Sequence, residues 1–322
     1  MKRKTINDLT FMELWQEYEK FIRVKLKSQS YRKEVSAYNL HILPYFKAYK
    51  VKDITSDVYL NWMLEIEKCN YKYSYNSSLH IFMVSILNYA VKFYKLDSNV
   101  ASLIGNFNKN KSQKVNVDFW TYEEYQKFIS VIDNKMYKLF FETLYFTGAR
   151  LGECIALTWN DFKDNYIDIN KTISKEKDVN GNYIINSPKT PSSYRKIELD
   201  NYIINSFNEL YKEQSKNVDF DNNWYIFGGK KPLTQTTITR RKDLYCKKAD
   251  VKKIRLHDFR HSHATLLLSM NVPIPVISKR LGHSNITTTL DTYSHLILTD
   301  EDKAINIINK LKSNNNETIN VM

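Results

Sequence analysis

The sequence predicts a mainly α protein, with a helical N-terminal domain followed by a mixed α+β domain that contains a small antiparallel sheet. Apolar residues recur at three- and four-residue spacing through residues 8–96, which is typical of amphipathic helices. A second helical region follows, and residues 162–200 within it carry strand and turn patterns. Because 322 residues normally form two domains, the polar stretch between these regions is the predicted boundary.

The N-terminal domain is predicted over residues 1–104 and contains four short helices. The first carries an apolar stripe made of Phe11, Leu14, Trp15, Tyr18, Phe21 and Ile22. The second is predicted to end at Pro44, the third to begin after Ser56 and the fourth to start near Ser74. Residues 105–117 are the predicted linker, because they are polar and basic and lack periodicity.

The second domain is predicted over residues 118–299. It opens with a helix for which Thr121 is the N-cap and Glu124 stands at the third helical position, the pattern of a capping box. Residues 300–322 follow as a last amphipathic helix and an asparagine-rich tail. The apolar residues of that helix are Ala304, Ile305, Ile308 and Leu311.

The small sheet is predicted from two hairpins. Residues 166–173 alternate apolar and polar side chains, the Asn-Gly pair at 180–181 is a strong turn signal, and a return strand starts at 183–185. A second hairpin is predicted through residues 188–193 and leads into a strand at 195–199.

Charge and composition limit the classes of protein that this chain can represent. The net charge is +13, and residues 1–116 hold 19 Lys and Arg against 10 Asp and Glu, an excess that suits binding to a polyanion. A basic protein without such a partner would show the same charge. We expect a cytoplasmic protein, because no segment is apolar enough to span a membrane and the N-terminus is unlike a signal peptide. Three scattered cysteines, Cys69, Cys154 and Cys246, argue against a disulfide framework.

Basic and hydroxyl side chains stand in short motifs of the second domain. Two glycines interrupt a helical pattern on either side of Arg150, which places this residue near a helix start and beside a turn. His257 and Arg260 are three residues apart and therefore share one face of a helix. His283 closes a Leu-Gly-His triplet, and Tyr293 follows ten residues later.

These residue types suit the cleavage of a phosphodiester bond. In-line attack on a phosphodiester adds charge to its non-bridging oxygens, and arginines can hold two such oxygens at once. Histidines can donate to the phosphate or take a proton from the nucleophile. Tyr293 could attack once nearby cations favour its anion, since a phenol has a pKa near ~10. The chain has no phosphate-binding loop and no paired carboxylates for two metal ions, so we expect neither ATP nor a metal cofactor.

Together the motifs resemble those of the tyrosine recombinases, or phage integrases, and most closely the integrases of Gram-positive phages and conjugative transposons. The resemblance covers about residues 10–300. Residues 149–153 resemble the first arginine box of the family, and residues 257–260 resemble the second. The resemblance implies that the N-terminal domain is a SAM-like core-binding domain and that the second domain is catalytic.

The resemblance also implies roles for individual residues. The implied catalytic set is Arg150, Lys189, His257, Arg260, His283 and Tyr293. In this family the tyrosine forms a 3′-phosphotyrosine and a lysine on a hairpin protonates the leaving 5′-oxygen, which assigns these roles to Tyr293 and Lys189. Glu153 is expected to orient the first arginine and not to act as a catalyst. Arg195 and Lys196 lie close to Lys189 in the sequence and compete with it for its role.

The implied partners are double-stranded DNA attachment sites, with a monomer free in solution and a homotetramer on DNA that passes through a four-way junction. The resemblance also allows an excision factor or a host DNA-bending protein as a partner, and association with the nucleoid. No membrane partner is expected. Many relatives have an additional N-terminal domain for arm sites, and the resemblance here does not extend to it. The C-terminal helix could dock on its own core or, as in relatives, on a neighbouring protomer.

Three alternatives compete with this prediction. A type IB topoisomerase uses similar residue types but acts without strict sites, and a silent DNA-binding regulator could share the fold. His257, His261 and His263 are close enough to raise a metal site. Arg260 lies between them and would repel a cation, so His261 and His263 are predicted to pack within the fold or on a helix surface.

Overall fold

The computed structural model describes residues 5–108, 118–177, 181, 183–188, 190–297 and 305. The chain divides into two compact units, Met1–Val115 and Asn116–Met322. Both units are mainly helical, and the second contains small antiparallel sheets, which confirms the predicted fold class. The predicted linker from 109 onward, the C-terminal tail apart from Ile305, and Lys189 lie outside the described residues.

The N-terminal unit is a helical bundle. Its helices are α1 Phe11–Lys25, α2 Ser28–Ala37, α3 Leu43–Phe46, α4 Ser56–Lys68, α5 Tyr73–Tyr94 and α6 Val100–Ile104. Thr10 and Glu13 form a capping box that starts α1. The buried core is rich in aromatic residues, and Trp15 stacks on Tyr38 with ring centroids 4.0 Å apart. None of the helices that the structure describes, α5 included, has both the length and the apolar content needed to cross a membrane.

Pro44 does not end the second predicted helix. The backbone continues from α2 through a π-helical turn at Tyr38–Ile42 into α3, and Pro44 lies in the first turn of α3. Proline lacks the N–H group that a continuous α-helix would use, and its ring would strike the carbonyl four residues back. A π turn changes this register, so the helical stretch passes the proline instead of stopping there.

The second unit places its helices around an aromatic core. The helices are α7 Tyr122–Ser130, α8 Lys135–Thr147, α9 Leu151–Ala156, α10 Asn201–Gln214, α11 Gln235–Ala249, α12 Asp258–Ser269, α13 Ile274–Leu281 and α14 Ile286–Ile297. Thr121 caps α7 together with Glu124, which confirms the predicted capping box. Phe259 of α12 stacks on Phe141 of α8 with ring centroids 5.6 Å apart, so these two helices are held together inside the core.

The strands form two small sheets and not two successive hairpins. They are β1 Phe162–Lys163, β2 Tyr166–Ile169, β3 Thr172–Lys177, β4 Tyr183–Asn186 and β5 Arg195–Glu198. The predicted return strand is confirmed by β4, but the outgoing strand predicted at 166–173 is wrong, because it is divided between β2 and β3 and only β3 pairs with β4. The second predicted hairpin is also wrong, because β5 pairs with β2 in a sheet ordered β1-β2-β5. Burial explains this choice. Ile167 and Ile197 stand opposite each other and are fully buried, whereas Ile185 of β4 is half exposed and gives β5 no apolar partner.

Candidate active site

Two glycines set the position of Arg150 between α8 and α9. Gly148 ends α8 with a φ of +62°, and a Cβ atom there would lie 2.6 Å from the His263 ring. Only glycine fits this turn, after which Arg150 occupies the N-cap of α9. At Gly152 a Cβ atom would lie 2.5 Å from the Thr172 hydroxyl, so the missing side chain lets α9 pack closely on β3.

Glu153 binds two arginines. Its carboxylate is 4% exposed and accepts from Arg150 twice, at 2.8 Å from Nη1 and at 2.9 Å from the backbone N–H. Arg195 donates to the same carboxylate from Nη2 at 2.9 Å. Burial alone would raise the pKa of Glu153, but the hydrogen bond from Arg195 and the two guanidinium charges lower it. Glu153 therefore stays ionised and sets the direction of the Arg150 side chain.

Arg260 is a buried cation with an unused donor. It is 4% exposed on α12, and its Nη1 donates to the Gly148 carbonyl at 2.8 Å. Its Nη2 is buried and has no hydrogen-bond partner within the part of the chain that the structure describes. Burial, followed by the charges of Arg150 and Arg195, lowers the pKa of Arg260 to about 9. A buried charged donor without an acceptor is costly, so the site is suited to an anionic ligand.

A tight helix end presents His283. Gly282 closes α13 with a φ of +71°, and the His283 N–H donates back to the Ser278 carbonyl at 3.1 Å. The Nδ1 atom of His283 lies 2.8 Å from the hydroxyl of buried Thr289, which leaves Nε2 as the ring nitrogen that can face a phosphate. Burial, followed by the charges of the three nearby arginines, lowers the pKa of His283 to about 4, so the ring is neutral at pH 7.

Tyr293 is buried against a histidine. The tyrosine on α14 is 2% exposed, and its hydroxyl lies 2.8 Å from Nδ1 of His261. Burial raises the pKa of Tyr293, and the charge of Arg260 opposes this rise. Burial and the neighbouring His257, whose ring centroid is 5.2 Å away, lower the pKa of His261 to about 4. Neutral His261 can therefore accept a hydrogen bond from the phenol at Nδ1, or donate one to its anion in the other tautomer.

The fold brings five of the six predicted catalytic residues into one electrostatic cluster. Desolvation, followed by the charges of Arg260 and Arg150, lowers the pKa of His257. The charges of these two arginines also lower the pKa of His283. The charge of Arg260 lowers the pKa of Tyr293 against the effect of burial. The sixth residue, Lys189, lies outside the described residues, so its position relative to the cluster stays a prediction.

Two residues of the cluster were missed at the sequence level. The prediction that His261 packs within the fold or lies on a helix surface does not include its contact with Tyr293, although its position one helical turn after His257 puts both rings on one face. Arg195 is predicted only as a competitor of Lys189 for its role. Its strand register was the available signal, because residues two apart share a face and Ile197 is buried.

The remaining histidine of this segment has a packing role. His263 is buried, and its Nε2 accepts from Nε of Arg280 at 3.3 Å. Burial and the Arg280 charge lower its pKa to about 3. Among the residues that the structure describes, no three side chains of metal-binding type are grouped around a common point.

Comparison with known proteins decides the family. Residues 118–298 match the model of the phage integrase family, and residues 10–66 match that of the phage integrase N-terminal SAM-like domain. The chain belongs to the phage integrase family. This recombinase is 30% identical to the ICEBs1 integrase of Bacillus subtilis (strain 168) over 284 residues, which cover 84% of the chain and 74% of the relative. It is 28% identical to the integrase of Staphylococcus phage L54a over 240 residues, which cover 66% and 68% of the two chains.

Solved structures share the fold of the recombinase. The Tn1549 transposon integrase in complex with transposon right end DNA matches with a TM-score of 0.74 at 18% identity, over 88% of this chain and 95% of that one. A lambda integrase tetramer bound to a Holliday junction matches with a TM-score of 0.60 at 16% identity, over 87% and 79% of the two chains. With the sequence relatives, these matches confirm the prediction of a tyrosine recombinase related to the integrases of Gram-positive mobile elements.

Proposed function

We propose that this recombinase integrates or excises a mobile element by cutting and rejoining DNA through a 3′-phosphotyrosine at Tyr293. The observation that carries the proposal is the unused Nη2 of Arg260, a buried charged donor in the same cluster as Arg150, His283 and the tyrosine. A scissile phosphate supplies the missing acceptor. The phosphate would also offset the positive charge that lowers the pKa of Arg260.

The two arginines and His283 hold the phosphate. Arg260 Nη2 and the free donors of Arg150 bind the non-bridging oxygens, while Glu153 keeps Arg150 in direction. When the Thr289 hydroxyl donates to Nδ1 of His283, Nε2 carries the ring proton and donates to the phosphate. These donors are held in place before the reaction, which is how charge that develops in a transition state is stabilised most effectively.

The chemical step forms one phosphorus–oxygen bond, breaks another and moves two protons. The hydroxyl oxygen of Tyr293 bonds to phosphorus while the bond from phosphorus to the 5′-oxygen breaks. The phenolic proton passes to His261 Nδ1, 2.8 Å away, whose pKa is raised by the negative charge of the bound phosphate. Lys189 gives a proton to the leaving 5′-oxygen, a role supported by the family resemblance. Attack by a 5′-hydroxyl reverses these steps and rejoins the strand, so the bond energy stays in the phosphotyrosine.

DNA binding and assembly follow from the two-domain organisation. Residues 1–104 act as the core-binding domain, with an excess of basic residues that suits the DNA backbone, and residues 118–299 act as the catalytic domain. Strand exchange proceeds through a four-way junction in a tetramer, a state supported by the lambda integrase tetramer on a Holliday junction. Residues 300–322 would link protomers, and an excision factor or host bending protein would set direction. The enzyme would work at the nucleoid.

Capture of the covalent intermediate tests this proposal. A nicked duplex that carries the attachment site of the host element would be incubated with protein, without metal or ATP. Wild type should form an adduct with the 3′ side that resists denaturation, and Tyr293→Phe should form none because it lacks the attacking oxygen. Tyr122→Phe, which changes an exposed tyrosine of the same unit, is the matched control and should react like wild type.

Two other outcomes would replace the proposal. Tight binding of wild type without any adduct would favour the silent regulator. Adduct formation on any duplex, with relaxation of supercoils and no dependence on site, would favour a topoisomerase.

A further inference from the structure

Arg195 is a buried arginine whose guanidinium donates only to groups of the protein itself. Its side chain is 7% exposed, while Tyr194 and Lys196 beside it are exposed. Nη2 donates to Glu153 at 2.9 Å, Nε donates to the Arg280 carbonyl at 2.8 Å and Nη1 donates to the Ser193 carbonyl at 3.1 Å. All three nitrogens of the guanidinium are thus bound within the fold.

The first of these contacts leads to Arg150. Arg195 and Arg150 share the Glu153 carboxylate, each with a separate hydrogen bond. Loss of either arginine leaves Glu153, which is 4% exposed, with a single cation to balance its charge. The direction of the Arg150 side chain therefore depends on Arg195, although the two arginines have no direct hydrogen bond in the structure's described part.

The second contact leads to His283. The Arg280 carbonyl that Arg195 binds lies one turn before His283, in the closing turn of α13. Packing strengthens this link, because a Cβ atom on Gly282 would lie 3.0 Å from Cδ and 3.1 Å from Nη1 of Arg195. The Arg195 side chain thus lies directly under the backbone that presents His283.

We propose that Arg195 is a positioning residue, which aligns Arg150 through Glu153 and His283 through the end of α13 without contacting the phosphate. This inference rests on the proposed function, because it assumes that Arg150 and His283 hold the scissile phosphate. A lysine cannot replace the arginine, since a single ammonium cannot reach three acceptors that lie in different directions around a planar fork. One residue of β5 thereby sets the spacing between two phosphate donors.

The test separates DNA binding from cleavage. Arg195→Lys keeps the charge but loses the fork, so binding to the attachment site should stay within about threefold of wild type. Single-turnover cleavage at saturating protein should fall on the order of 100-fold, the effect of a misplacement of about 1 Å. The matched control is Lys171→Gln, which breaks another ion pair of the unit, with the buried carboxylate of Asp161. It should lower the unfolding temperature and leave the cleavage rate unchanged.

A double variant adds a readout that a purely structural role would not move. Arg195→Lys combined with Glu153→Gln should lose clearly less than the product of the two single losses, because both changes interrupt the same contacts to Arg150. Additive losses would overturn the inference. Cleavage by Arg195→Lys at the wild-type rate, or a loss matched by weaker binding, would also overturn it. These outcomes require that wild type forms the adduct; failure of wild type to do so removes the proposed function itself.

Discussion

At the residue scale, the site is characterised by positive charge that the protein leaves unbalanced. Arg150, Arg195 and Arg260 are arranged around a single carboxylate, that of Glu153. Folding tolerates this arrangement because the Glu153 carboxylate binds both Arg150 and Arg195, and backbone carbonyls accept from both, while Arg260 retains a free buried donor. An unpaired buried donor destabilises the folded protein, and this free-energy cost is removed only when an anion accepts a hydrogen bond from it.

The contact between His261 and Tyr293 gives a prediction at this scale. His261→Phe removes the group 2.8 Å from the phenol oxygen, and we expect single-turnover cleavage to fall roughly 100-fold, as for loss of a general base. His261→Asn should lose a similar factor, because its amide oxygen can accept a hydrogen bond from the phenol but cannot take up the proton. Faster cleavage by the phenylalanine variant would contradict this role. It would show instead that the contact with His261 holds Tyr293 in an unreactive position in the free protein.

At the element scale, helix ends position three of the proposed catalytic residues. Arg150 stands at the N-cap of α9, His257 at that of α12, and His283 directly after α13. Glycines with positive φ precede Arg150 and His283, so the chain can reverse sharply where the side chain must point into the site. The patterns around Arg150 and in the Leu-Gly-His triplet were readable from sequence for this reason.

Substitution of Gly282 tests the role of the α13 end. Gly282→Ala places a Cβ atom in the left-handed region, which costs about 1–2 kcal/mol, and drives it against Arg195. We expect a measurable loss of stability in urea unfolding together with slower cleavage. Gly181→Ala is the matched control, with a φ of +79° and open space around the added methyl group. This control should lose stability but keep the wild-type cleavage rate. If it cleaves as slowly as Gly282→Ala, the contact with Arg195 does not explain the slower cleavage of Gly282→Ala.

At the scale of the whole molecule, buried histidines couple the stability of the second unit to pH. The second unit buries His261, His263 and His283 with pKa values of about 4, 3 and 4, below the ordinary 6.5. A depressed histidine pKa means that the unfolded chain binds protons more readily than the folded one. The stability that these groups contribute is present above pH 6.5 and is lost as the pH falls towards 4.

We therefore predict that acid destabilises the second unit between pH 6.5 and 4. Urea unfolding, followed by hydrogen exchange in peptides of α8 and α12, should show stability falling steadily from pH 6.5 towards 4, with proton uptake on unfolding. His41→Gln, in the N-terminal unit, should leave this dependence unchanged. A flat profile in this range would show that the three histidines are not buried in neutral form.

The sequence by itself determined the helical architecture, the capping box at Thr121 and the motifs that assign the family, because these depend on local periodicity and on short spacings. Only the tertiary structure decided the pairing of β5 with β2, since a local hairpin and a distant partner look alike in sequence and burial of Ile197 selects between them. It also decided the contacts of Arg195 and His261, because their partners lie 42 and 32 residues away along the chain. Contacts at such separation depend on how elements pack, which no local pattern encodes.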